Sequence, residues 1–250
     1  MPNYVTNILE FDCSDEEFRE IAEFLRGDNK DEPLGHVDFN VLIPMPESLM
    51  IESGLVGERG YEAYASFMME AYGQPPKAAA ELEAQHKAKL DDPEAWDLGK
   101  KYYENLRDYG AKTWYQWSYQ NWGTKWNACD CEPADADHHR LCFLTAWECV
   151  PKILEKISEH FPETQIVYSY ADEDIGSNVG VLVYENGEII GANLPNNGSR
   201  EAYELAADIL GEDLKDMGFI LSKDGTMYHF DMDAAEGIVE EHPLPSEEER

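Results

Sequence analysis

The chain has 250 residues, 43% of them hydrophobic and 12% aromatic, with 52 acidic against 19 basic side chains and a formal charge of −33. That apolar content suffices for the core of one large domain, or of a smaller domain with additions, and excludes a disordered chain. The negative field disfavours nucleic acid and anionic membranes as direct partners and favours a basic protein surface.

In chain order, YVTNILEF (Tyr4–Phe11) reads as a strand. Ser14 with Glu17 three residues later forms a capping box, and Phe18, Ile21, Ala22 and Leu25 recur at helical spacing behind it. VDFNVLIPMP (Val37–Pro46) reads as a second strand, stopped by two prolines that cannot donate to a ladder. A helical block of about 65 residues is expected from Glu47 to about Lys112, since Tyr61, Tyr64, Ala65, Met68, Met69 and Tyr72 fall on one face. Within it, PPKAAAELEAQHKAKL opens on proline, and Pro93 starts a further helix. The glycines from Gly54 to Gly60 read as a plain loop, because no strand–loop–helix phosphate site surrounds them.

After a tryptophan-rich stretch, CDCEPADADHH (Cys129–His139) is loop-like and RLCFLTAWECV (Arg140–Val150) is the third strand. Pro151 begins a helix with Ile153, Leu154 and Ile157 on one face, and TQIVYSYAD (Thr164–Asp172) is the fourth strand. VGVLVYENGEIIGANL (Val179–Leu194) is a hairpin whose Asn186-Gly187 turn accepts positive φ. A helix over Ser199–Leu210, a short hairpin around Asp224-Gly225 and a frayed acidic tail complete the chain.

Without the helical block the order is βαββαβ, so the expected fold is α+β: a ferredoxin-like (split βαβ) antiparallel sheet with a helical insertion and extra C-terminal hairpins. The expected domain boundaries are 1–194, with the insertion at about 47–126, and an acidic extension at 195–250. From Phe161 to Arg250 the chain carries 21 acids and 4 bases. No apolar run reaches the ~18–20 residues that span a bilayer, and the N-terminus lacks the basic and apolar regions of a signal peptide. A cytoplasmic protein is therefore expected. Its five dispersed cysteines are expected to be reduced thiols, with Cys142 and Cys149 in the core.

NWGTKWNA (Asn121–Ala128), preceded by WYQW (Trp114–Trp117) and with IPMPESL (Ile43–Leu49) upstream, resembles the YubB-like family of plasmid and phage proteins. NILEF near the N-terminus and TAW (Thr145–Trp147) fit its pattern, and the similarity runs over roughly Asn3–Leu194. The resemblance implies a ferredoxin-like domain and a mobile-element context. It implies no reaction and transfers no catalytic residue.

Candidate ligand or interaction residues are Trp114, Trp117, Tyr119, Asn121, Trp122, Lys125, Trp126 and Asn127. Indoles at this spacing are expected to pin the helical block to the sheet, each burying roughly 150–250 Å². The competing expectation is a stacking platform beside Lys125, which the surrounding negative charge disfavours for nucleic acid. Cys129, Cys131, His138 and His139 include thiolate and imidazole donors, yet their spacing matches no standard zinc site. The carboxylate-rich stretches Ala171–Asn178 and Asp231–Gly237 lack the twelve-residue calcium-loop pattern. No phosphate loop or nucleophile elbow occurs, so neither cofactor nor metal is expected.

The expected function is a non-enzymatic accessory protein of a mobile genetic element that binds a basic host protein, with anti-defence action or nucleic-acid mimicry as its form. The alternative is a small-ligand binder or enzyme with a tryptophan-lined pocket between the helical block and the sheet. A third expectation is a habitat or solubility effect, in which the charge has no partner.

Overall fold

Alternation of apolar and polar residues along Tyr4–Phe11 buries Val5, Leu9 and Phe11 on one side, and this strand organises the sheet. The computed structural model describes residues 3–232; the acidic tail from Glu240 and most of the Asp231–Gly237 stretch lie outside the described residues. The chain forms two units, one from the segments before Ile43 and after Trp126, the other Ile43–Trp126.

In the first unit, β1 (Tyr4–Asp12) lies between β2 (Arg140–Ala146) and β3 (Gln165–Asp172), antiparallel to both. β2 and β3 are therefore parallel to each other, joined by helix α6 (Pro151–His160) with β1 between them, which is a split βαβ unit. β4 (Gly180–Glu185) and β5 (Glu188–Asn193) extend the sheet beyond β3 as successive antiparallel strands. Asn186 and Gly187 between them hold φ of 49° and 77°, as the type I′ expectation requires. The fold class is thus α+β, with an antiparallel sheet and helices, and a second two-stranded sheet of β6 (Phe219–Leu221) and β7 (Tyr228–Phe230).

Helix α1 (Asp15–Arg26) starts at Ser14, whose hydroxyl accepts from the Glu17 N–H, and it buries Phe18, Ile21, Ala22 and Leu25. Its Phe24 stacks on His160 of α6 with ring centres 4.0 Å apart, so the two helices lie side by side. α7 (Arg200–Leu210) packs Ala202, Ala206 and Ala207 against Ala171, Ile175 and Val179.

The second strand expected at Val37–Pro46 does not form. Asp38 accepts from the Asn40 N–H and caps a 3₁₀ turn at Phe39–Val41, which removes that backbone from any ladder. The free edge of β2 is met instead by the polar segment Cys129–Asp135, through Cys129–Leu144 and Asp135–Arg140 bridges and a Glu132 N–H to Cys142 carbonyl bond. This segment occupies the edge where the second strand of a βαββαβ sheet belongs. The third strand also stops earlier than expected, at Ala146, because Trp147 turns to φ 68° and leaves the extended region.

The helical unit contains α2 (Leu55–Ala71), α3 (Pro76–Lys87), α4 (Ala95–Tyr109) and α5 (Trp114–Asn121). Gly57 and Gly60 lie inside α2, not in a loop. A Cβ at Gly60 would strike the Ala95 backbone, one at Gly99 the Gly60 backbone, and one at Gly57 the Tyr102 ring. These glycines let α2 and α4 cross at backbone contact. Trp96 and Tyr102 are buried here, and the Tyr102 hydroxyl donates to the Glu52 carbonyl at 2.6 Å.

Candidate functional site

The structure gives the tryptophan-rich residues distinct roles. Within the helical unit, Trp117 and Trp122 are buried and meet edge to face with centres 5.4 Å apart. The Trp122 indole N–H donates to the Ile43 carbonyl at 2.9 Å, and Asn121 Nδ2 donates to the Trp117 carbonyl at 2.9 Å. Trp114 and Trp126 are half-buried, and the Lys125 ammonium lies 4.6 Å from the Trp126 ring centre. Tyr119 is half-buried and, with Tyr115, Gln116 and Lys112, lines an open cavity of about 380 Å³. Burial of two indoles, each with its polar edge or neighbouring backbone satisfied, is core packing of this unit.

Asn127 belongs to the sheet-containing unit and acts as a clamp. Its Oδ1 accepts from Phe39 N at 2.8 Å and Ala128 N at 2.9 Å, while its Nδ2 donates to Asp38 Oδ1 at 2.7 Å. The clamp joins the two points where the chain departs for the helical segment and returns from it, the place where ordering a long insertion is most effective. Burial pushes the Asp38 carboxyl up, but hydrogen bonds from the Asn40 backbone and from Asn127, Asn40 and Asn29 outweigh it and hold it below the usual carboxylate range.

The Cys129–His139 donors are held apart by other partners. His138 Nδ1 pairs with Asp135 at 2.8 Å, His139 Nε2 with Asp15 at 2.8 Å, and Cys129 contacts the Leu144 carbonyl. Among the described residues no three His, Cys, Asp or Glu side chains are placed to hold a metal ion. All five cysteines are half-buried, and none is in a disulfide. Burial, as the largest cause, pushes Cys13, Cys142 and Cys149 up to about 11, so these thiols stay protonated and unreactive near neutrality. Cys142 faces the less covered side of the sheet with Ile8, opposite it on β1, instead of the core.

Sequence reasoning missed a site at the end of β2. Trp147, 37% exposed, lies with Glu148, Tyr170, Asn178, Val179, Leu194, Pro195 and Asn197 around an open cavity of about 450 Å³. Two non-glycine residues at this site hold positive φ, Trp147 at 68° and Asn178 at 43°, a costly conformation for a bulky side chain. The turn is fixed on several sides. Trp147 N–H donates to the Asn3 carbonyl at 2.9 Å, Thr145 Oγ1 to the Glu148 carbonyl at 2.8 Å, and Asn178 Nδ2 to the Trp147 carbonyl at 3.2 Å. Beneath it, buried Tyr168 donates to Asn7 Oδ1 at 2.7 Å and accepts from Val150 N–H at 2.9 Å. Burial first, then neighbouring Cys149, raises the Tyr170 phenol, so it remains a neutral ring. The sequence contained TAW but nothing that announces a left-handed tryptophan.

Charge is divided unevenly between the units. The helical unit, Ile43–Trp126, carries 9 basic and 13 acidic side chains, leaving 10 and 39 for the rest of the chain. The outer surfaces of α1 and α6 expose Glu16, Glu20, Glu23, Glu155 and Glu159. Among the described residues no helix is long and apolar enough to cross a membrane.

Comparison with known proteins matches part of the chain to a described domain. Residues 121–213 match the family model described as the ferredoxin-like domain in Api92-like protein. A crystal structure of the protein api92 from Yersinia pseudotuberculosis aligns over 79% of this chain and 99% of its own, at 10% identity and a TM-score of 0.34. No curated protein matches the chain. The matched segment contains the whole Trp147 cavity and strands β2 to β5, while β1, which lies between β2 and β3, falls outside it.

Proposed function

We propose that the protein is a non-enzymatic binding protein whose acidic ferredoxin-like unit engages a basic surface on another protein. The observation that carries this reading is the concentration of charge, 39 acidic against 10 basic side chains outside the helical unit. A field of this sign speeds the encounter with a positively charged partner and repels nucleic acid. The resemblance of the NWGTKW region to plasmid and phage proteins supports an accessory role for a mobile genetic element, in which the basic partner is a nucleic-acid-binding host protein of the defence type. Competition with nucleic acid for that partner is then the form of its action.

The test is retention of bacterial lysate proteins on the immobilised full chain, followed by identification and competition. Basic nucleic-acid-binding proteins retained at about 50 mM salt, released by about 500 mM and displaced by duplex DNA are the expected result. Retention of neutral proteins only, or of basic proteins that duplex DNA does not displace, overturns it.

A further inference from the structure

The cavity at the end of β2 combines features that a net charge does not require. Trp147 and Tyr170 supply aromatic surface, Glu148 supplies an exposed carboxylate, and Val179, Leu194 and Pro195 supply an apolar wall. Among the described residues no basic side chain lines it. One hydrogen bond behind the wall, Asn178 Nδ2 donates to Asp172 Oδ2 at 3.1 Å, and Asp172 is a carboxylate only 6% exposed that makes no ion pair among the described residues. Asn197 Oδ1 accepts from the Asn178 N–H at 3.3 Å, which ties the segment after β5 to the same turn. Trp147, at φ 68° and 37% exposed, stands at this cavity beside the exposed Glu148.

From this arrangement we infer that the cavity is an anchoring site for an arginine side chain presented by the basic partner. A guanidinium is planar, stacks on an indole, and keeps donors free at its edge for a carboxylate such as Glu148. Its methylene stem suits the apolar wall, and the volume of about 450 Å³ admits the side chain with part of its flanking backbone. The inference rests on the basic-partner reading and narrows it, because it places one specific contact inside an otherwise diffuse field. It also gives the Trp147 turn a purpose: the left-handed backbone presents the indole at the mouth of the cavity instead of continuing β2.

The experiment titrates the full chain with an acetylated, amidated Gly-Arg-Gly tripeptide and with its citrulline counterpart, which keeps the shape and loses the charge. Indole N–H resonances are followed by NMR, and that of Trp147 is identified by its disappearance in Trp147→Gly. Glycine adopts φ 68° freely, so this variant removes the ring while keeping the turn. The expected result is a saturable shift of the Trp147 resonance with arginine, at least about fivefold weaker with citrulline. Glu148→Gln weakens the arginine affinity by a similar factor, and Glu20→Gln on α1 leaves it unchanged. Equal losses for Glu148→Gln and Glu20→Gln, or shifts spread over all indoles, overturn the anchoring site while leaving charge-driven binding intact. A Trp147 resonance that arginine never moves overturns it as well. Saturable binding at Trp147 with no basic protein retained from lysate is the reverse case, in which the pocket stands and the proposed function falls.

Discussion

The two units of this chain solve the same folding problem by different means. The sheet-containing unit buries apolar side chains through strand alternation, with Val5, Leu9, Phe143, Leu154 and Ile166 in its core, and its stretches of sequence carry 39 of the 52 acidic side chains. The helical unit is close to charge balance, with 9 basic and 13 acidic residues, and depends on close helix contact at Gly60 and Gly99 with rings of Trp96, Tyr64 and Phe67 packed beside them. Hydrogen-bonded ladders tolerate self-repulsion at the surface because their bonding is internal to the sheet. Close helix packing tolerates almost no added volume. The difference predicts that a volume change injures one unit and a lost polar partner injures the other.

The largest expected effect comes from Gly99→Ala. Its Cβ would collide with the backbone of Gly60, which no side-chain rotation relieves. The separation of α2 and α4 must grow, at a cost of about 3 kcal/mol that outweighs the propensity gain of alanine. Hydrogen exchange should show faster exchange of α2 and α4 amides with protection in β1 and β3 unchanged. Equal loss in both units would mean that they unfold as one, which breaks the comparison.

Tyr168→Phe tests the sheet unit in the complementary way. The hydroxyl both donates to Asn7 and accepts from the Val150 N–H, and Asn7 and Val150 are fully buried. Removing one oxygen strands two polar groups away from water, an expected loss of about 2 to 3 kcal/mol in urea unfolding, with no change in the exchange of α2 and α4. A loss under about 0.5 kcal/mol would show that the network is not a stability element.

These contrasts also explain which parts of the fold were legible in the sequence. The Ser14 N-cap, the Asn186-Gly187 turn and the apolar face of α6 depend on neighbours within a few residues and are where the pattern places them, whereas the reciprocal half of the capping box does not form because the Glu17 carboxylate accepts from the Thr164 hydroxyl. The expected strand at Val37–Pro46 failed because Asp38 binds its own backbone two residues on, a local competitor that the apolar alternation concealed. Its place along β2 fell to Cys129–Asp135, a polar segment with no strand signature. The glycines from Gly54 to Gly60 read as a plain loop because no strand–loop–helix phosphate pattern surrounds them, yet Gly57 and Gly60 lie inside α2. Their reason to be in a helix is Gly99 and Tyr102, some forty residues away. Trp147 was invisible as a site for the same kind of reason: its φ and the Asn178 and Asn3 contacts that hold it are set by tertiary structure.

The smallest of the three effects sharpens the comparison at the clamp that closes the base of the insertion. Asn127→Ala removes three hydrogen bonds, from the Phe39 and Ala128 N–H groups and to Asp38, with an expected loss of about 2 kcal/mol at pH 7. The pH dependence separates the carboxylate's share from the rest. Asp38 has a lowered folded-state value, so its stabilisation is fully present above the unfolded value of about 3.9 and disappears as pH falls through the folded one. In Asn127→Ala the carboxyl loses one of the donors that hold it down, and less stability remains to be lost on acidification. The gap between the two proteins in urea unfolding should therefore narrow between about pH 5 and pH 3. A gap of the same size at both ends would place the whole effect in the Phe39 and Ala128 bonds, and would make Asp38 a bystander at the point where the acidic unit gives way to the near-neutral one.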